Sequence, residues 1–233
     1  MLSPLVYFHI RRKSRIVHRE LPHNYRDILS DEIRKYAAKG LKIGCSWLWD
    51  GGGSVPNATS TIPGVILINA EWASTLVLRY NEEIVRDAFG MTMGHEITHQ
   101  EGDYFYLEPF TKSSKFVNWV NEIHADFGGI KKVFDGDMDR GLRSLEFKMK
   151  CKGKRDRDRH SHPSWKHRME FVSNGIFDDK TIKKIAIMTE CKDEILVERV
   201  CDYYGDIFLR RLSARQDFVD FRMQAQDGLQ NGR

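Results

Sequence analysis

Apolar residues recur at helical spacing in "NYRDILSDEIRKYAAKG" (24–40), where Tyr25, Ile28, Leu29, Ile33, Tyr36 and Ala37 share one face. Gly40 is placed to end that helix. The period then shortens to two. Ile43, Cys45, Trp47 and Trp49 alternate in "LKIGCSWLWD" (41–50), which predicts a strand. "GGGSVPN" (51–57) reads as a turn or flexible loop, and the apolar run Val65 to Ile68 within "IPGVILINAEW" (62–72) predicts a second strand.

From residue 81 the pattern is helical. Asn81 followed by Glu82 and Glu83 combines a capping side chain with acids in a first turn. The helix should run through Ile84, Ala88 and Met91 to about His99, with Gly102 terminating it. A second helix is predicted over 115–134, with Phe116, Val120, Ile123, Phe127, Ile130 and Phe134 on its apolar stripe. Between them lies an aromatic loop, "DYFYLEPFTKSS" (103–114). Pro163 opens a further helix in "HPSWKHRMEFVSNG", and two more follow at 179–189 and 192–213 before a polar, frayed end. The expected fold is α+β: one mainly helical domain, 1–233, with a small sheet beside the helix that begins at Asn81. Residues 1–54 would supply an N-terminal helix and the first strand, 55–171 the core motifs, and 172–233 a C-terminal helical segment.

Composition narrows the class. The 233 residues are 41% hydrophobic and 30% charged, an ordinary globular balance with length enough to bury a core. No apolar run reaches the roughly 18 residues of a membrane-spanning helix. In "MLSPLVYFHIRRKSR" the charges follow the apolar stretch, the reverse of a secretory signal, so a cytoplasmic protein is expected. Cys45, Cys151, Cys191 and Cys201 lack C-x-x-C spacing and read as reduced thiols. The net charge of +4 is mild, and the basic residues bunch at 148–160, "KMKCKGKRDRDRH". Asp156 and Asp158 interrupt that run and no aromatic residue lies inside it, which favours a solvated, mobile loop over a nucleic-acid surface.

The chemistry concentrates at His95-Glu96-Ile97-Thr98-His99, an H-E-x-x-H pattern. Four residues of helix advance about 400° and rise about 6 Å, so both imidazoles project from one face within reach of one ion. Glu96, rotated about 100° from His95, can reach water held by such an ion without ligating it. Zinc suits this donor set, and a catalytic zinc needs one further protein ligand and one open position. The extended pattern H-E-x-x-H-x-x-G-x-x-H is excluded, because Gly102 fits it but Phe105 stands where the histidine should be. "VNEIHADFGG" (120–129) instead offers Glu122 as the third ligand of one zinc per chain. Asp126, one turn on, can bond the free ring nitrogen of a ligand histidine. His124 falls on the other side of that helix. The bland alternative is a polar turn and a solvated acidic face. The otherwise apolar second helix, following after a short connection as an antiparallel partner would, argues against it.

H-E-I-T-H followed by N-E-I-H-A-D-F-G-G resembles the gluzincin metallopeptidases, and within them the group containing the CAAX prenyl protease and the HtpX-type heat-shock protease. "VPNATS" (55–60) is similar to that family's N-A motif, and "SHPSWKHRMEF" (161–171) to its late H-P segment with a following arginine, here His162, Pro163 and Arg168. The four motifs span about 55–171 in the family's order. The chain departs from the membrane members by lacking every transmembrane helix, and Thr59 replaces the usual aromatic of the N-A motif. The resemblance implies a zincin-like fold and a zinc metalloendopeptidase acting on protein or peptide substrates. It further implies that Asn57 and Ala58 bind substrate backbone, that the strand ending near Asn69 takes substrate as an added strand, and that His162 stabilises the oxyanion. Two alternatives accompany this reading: a dedicated regulatory protease with a single protein target, and a non-catalytic metal- or nucleic-acid-binding module. An intact Glu96 argues against the second.

Overall fold

The structure, a computed structural model, describes residues 42–46, 57–62, 65–69, 72, 73, 76, 79–104, 111, 114–153 and 156–205. The helix expected at 24–40 and Trp47 and Trp49 lie outside the described residues. So do Phe105 to Phe110 of the aromatic loop and everything beyond Gly205.

Three strands, β1 (Lys42–Ser46), β2 (Ala58–Ile62) and β3 (Val65–Asn69), form one sheet in the order β1-β3-β2. β1 runs parallel to β3 and β2 antiparallel to it, with an irregular register between Thr59 and Ile62. This overturns one expectation. The strand ending at Asn69 has partners on both edges, so its backbone groups are taken and it has no free side for an added strand. Among the described strands β1 and β2 form the edges; β2, which the apolar pattern alone did not predict, is the one tied to the motif helix (below).

Six helices are bounded within the described residues: α1 (Glu82–Gly102), α2 (Lys115–Phe134), α3 (Met138–Lys152), α4 (Trp165–Ser173), α5 (Asp179–Met188) and α6 (Glu194–Tyr204). The architecture is α+β and mostly helical. Every one of these helices starts on Asn, Ser or Asp, and each capping side chain accepts a backbone N–H of the first turn, as Asn81 does from Ile84 at 3.0 Å. Such a cap contributes about 1 kcal/mol. α3 was not expected from the sequence. Asp135, in the left-handed conformation at φ 53°, and Gly136 at φ 85° turn the chain sharply after α2, and Asp137 caps the next helix. Residues 148–152 of the basic run therefore lie in a helix rather than a mobile loop, and Lys148 is buried.

Three apolar clusters hold these elements. Ile66 and Ile68 of β3 pack with Val85, Phe89 and Met93 of α1. α2 meets α5 and α6 through Phe116, Trp119, Ile123, Ile185 and Val200. Met91, Ile130, Leu145 and Val172 join α1, α2, α3 and α4. Large side chains such as Trp119, Phe89, Phe116 and Phe171 are fully buried, each contributing about 1.5–3 kcal/mol. Tyr104, an aromatic residue of the loop between α1 and α2, sits in the second cluster and faces the core. No helix of the described residues is long and apolar enough to cross a membrane.

Candidate metal centre

α1 and α2 cross at very close range because glycines line the crossing. A Cβ on Gly94 would stand 2.6 Å from Val133 Cγ2 and 3.0 Å from the Gly129 backbone, and one on Gly129 would stand 3.0 Å from His95 N. Backbone approach of this kind brings the short Glu122 and Asp126 side chains of α2 onto the His95–His99 face of α1.

The result is one buried group. His95, His99 and Glu122 each offer a donor atom, and these lie within 4.8 Å of one another. His95 Nε2 and His99 Nε2 are 3.0 Å apart, His95 Nε2 is 3.4 Å from Glu122 Oε2, and His99 Nε2 is 3.5 Å from Glu122 Oε1. A tetrahedral ion with bonds of about 2.0–2.1 Å needs donors about 3.3–3.4 Å apart. The three donors are close enough to this spacing to hold a metal ion.

The ring nitrogens facing away are fixed by acids. His95 Nδ1 is 3.0 Å from Asp126 Oδ1, as the sequence predicts, and His99 Nδ1 is 2.9 Å from both Asp103 oxygens. Each carboxylate can accept a hydrogen bond from Nδ1–H, the tautomer that leaves the Nε2 lone pair for a metal. Asp103 was missed in the sequence, although it lies only four residues after His99, as the residue that ends α1. Arg168 of α4 completes the cluster: Nε and Nη2 donate to Asp126 at 2.7 and 2.5 Å, and Nη1 donates to Glu122 at 3.2 Å. His162 reaches in from the loop before α4, its Nε2 3.3 Å from Glu122 Oε1, with its own side chain half exposed.

The electrostatics follow from this crowding. Burial opposes ionisation of Asp126, but the Arg168 guanidinium outweighs it and holds the carboxyl at about 2. Burial likewise works against Glu122, and His162, His95 and His99 together keep its pKa well below the usual range. Burial disfavours a charged His99, yet Asp103 and Glu122 raise its pKa well above that of an ordinary histidine. Burial and the nearby Arg168 push Lys148 down to about 8. Counted formally, the buried carboxylates are Glu96, Asp103, Glu122 and Asp126, and the buried cations are Lys148 and Arg168. With neutral histidines that leaves a charge of −2, which a divalent cation cancels.

Glu96 differs from the other acids. It is 8% exposed, and among the described residues its carboxylate has no hydrogen-bond or ion-pair partner. Asn57 and Ala58 are not drawn into the cluster. Asn57 O accepts from Asn69 N at 2.8 Å, and Ala58 opens β2 opposite Ile68. β2 is nevertheless tied to the motif helix, since Gln100 Nε2 donates to Ser60 O at 2.7 Å. His124 lies apart, its ring 4.6 Å from that of Tyr204.

No protein-family model, curated protein or solved structure matches the chain.

Proposed function

We propose that the protein is a zinc-dependent metalloendopeptidase, a relative of the gluzincins that cleaves protein or peptide substrates. The observation that carries this reading is Glu96, next in sequence to a ligand histidine of a three-donor centre, whose carboxylate makes no hydrogen bond or ion pair among the described residues. An ion bound for structure alone has no use for a carboxylate left uncommitted beside it, whereas a general base needs its oxygens uncommitted. Structural zinc sites also close with four protein ligands, whereas three donors leave a position for water or substrate. Two imidazoles and a carboxylate suit zinc in particular.

When bound, zinc supplies a Lewis acid that acidifies water and polarises a carbonyl. His95, His99 and Glu122 bind it, while Asp126 and Asp103 hold the imidazoles in the ligating tautomer. Glu96 accepts the proton of the attacking water as the new C–O bond forms. It returns that proton to the amine as the peptide C–N bond breaks. His162 donates to the oxygen that gains negative charge. A zincin-like architecture fits the arrangement of a motif helix beside a small sheet with an antiparallel edge strand. β2, bonded to α1 one residue after His99, forms an edge among the described strands along which a peptide can add, with Asn57 and Ala58 at its start.

Metal analysis of purified protein, with cleavage of a proteome-derived peptide library, tests the reading. About one zinc per chain is expected. Glu96→Gln should keep the zinc and the fold but lose cleavage, because an amide cannot take the proton. Retained turnover in that variant, or a metal-free wild type after zinc loading, would overturn the proposal.

A further inference from the structure

By its sequence, the segment before α4 reads as a solvated loop in which aspartates interrupt a basic run. The structure gives those aspartates partners. Asp156 accepts the N–H groups of Trp165 and Lys166 at 2.8 and 3.1 Å. Asp158 Oδ1 accepts the N–H of Ser164 at 2.8 Å and lies 2.8 Å from His167 Nδ1. The carboxylate of Asp158 thus closes a ring around residues 159–163, and His162 sits inside that ring. Within it, Arg159 N donates to His162 O at 2.8 Å. On the α2 side, Trp119 Nε1 donates to Arg159 O at 2.8 Å, and Trp119 stands almost one helical turn before Glu122. The loop is pinned at one side to the helix that carries Arg168 and at the other to the helix that carries the third ligand. Its remaining freedom is small, and His162 Nε2 is left 3.3 Å from Glu122.

We propose that Asp158 is a positioning residue that holds His162 at the metal centre. The bonds of its carboxylate to Ser164 and His167 set where the loop's apex falls. The inference about catalysis rests on the peptidase reading, but the positioning itself does not. A donor to developing charge works only at its correct distance, and displacement by about 1 Å can cost on the order of 100-fold in rate.

The test compares Asp158→Ala and Asp158→Asn in the wild-type and His162→Ala backgrounds. In metal-free protein, the Trp119 indole N–H resonance, assigned by its loss in Trp119→Phe, reports whether the loop is held. In Asp158→Ala its solvent exchange should accelerate by about tenfold or more. In zinc-loaded protein, Asp158→Ala should keep its zinc and hold KM within about twofold while kcat falls about 10- to 100-fold. Asp158→Asn keeps an acceptor for Ser164 N and should retain kcat within about threefold. His162→Ala alone should lower kcat about 100- to 1000-fold. Adding Asp158→Ala to it should cost nothing more, since the group being positioned is gone. An equal further loss in the His162→Ala background would overturn the proposal, because Asp158 would then act through the fold at large. Unchanged indole exchange would overturn it whatever the activity. If the wild type cleaves no peptide while the indole responds as expected, the peptidase reading falls and the positioning of His162 stands. Should Asp158→Ala not fold, Asp158→Ser, with a shorter acceptor, takes its place in every arm.

Discussion

Replacing Arg168 with methionine tests the buried cluster without calling on any metal. Methionine keeps a long, apolar stem that can still pack on Trp165, whose ring centre lies 4.0 Å from the guanidinium carbon. It removes the donors to Asp126 and Glu122, leaving two buried carboxylates short of a cation. Deleting one partner of a buried pair costs about 3–5 kcal/mol. Asp126 gives a second route to the size. Its carboxyl is held at about 2 against an ordinary 3.8. At about 1.36 kcal/mol per pKa unit that is roughly 2.5 kcal/mol at neutral pH. This figure is already net of the burial penalty that Arg168 overcomes, so the full loss should exceed it. For a chain of this size, about 3–5 kcal/mol corresponds to a fall in Tm of about 6–20 °C. Because the folded-state pKa of Asp126 is depressed, its contribution is present above about pH 4 and lost as pH falls through about 2. Thermal unfolding followed by circular dichroism, in chelator, should therefore show a wide gap between wild type and variant at pH 7 that narrows below pH 4. A variant melting within about 2 °C of wild type at pH 7 would refute the buried pairing, and so would a gap indifferent to pH.

Two further substitutions probe how the centre is held. Asp103→Asn weakens the acceptor of the His99 Nδ1 proton and should lower zinc affinity about 10- to 100-fold in competition with a chelator; unchanged affinity would show that His99 is oriented by something else. Gly129→Ala drives a methyl group against His95 N, 3.0 Å from where its Cβ would sit, and should cost about 1–3 kcal/mol by overpacking. Zinc affinity should fall with it, because the helices bearing the ligands are forced apart. Native stability and native affinity together would rule out the close crossing.

What the sequence determined by itself is what lies within one helix. His95 and His99 are about one turn apart, so their common face and the offset of Glu96 follow from covalent geometry, and the same holds for the face shared by Glu122 and Asp126. The limits of α1 and α2 were legible because Asn81 and Gly102 punctuate one and an apolar stripe runs the length of the other. Asp103 was equally available as an acid four residues beyond a ligand histidine. α3 was obscured by its polar residues. Whether Lys148 is a solvated lysine or a buried one depends on Trp165 of α4, whose ring its ammonium overlies at 5.2 Å, and nothing local to residue 148 encodes that neighbour. Tertiary structure alone decided that β3 is central, since strand order is a choice among distant partners. It alone joined Arg168 to Asp126, 42 residues away, and turned the aspartates of a basic run into acceptors for the start of α4. Periodicity sets which side chains share a face, but the distance between two faces comes from how closely their backbones pack. Here that distance is set where Gly94 meets Gly129, and it places a carboxylate of one helix 3.4 Å from an imidazole of the other.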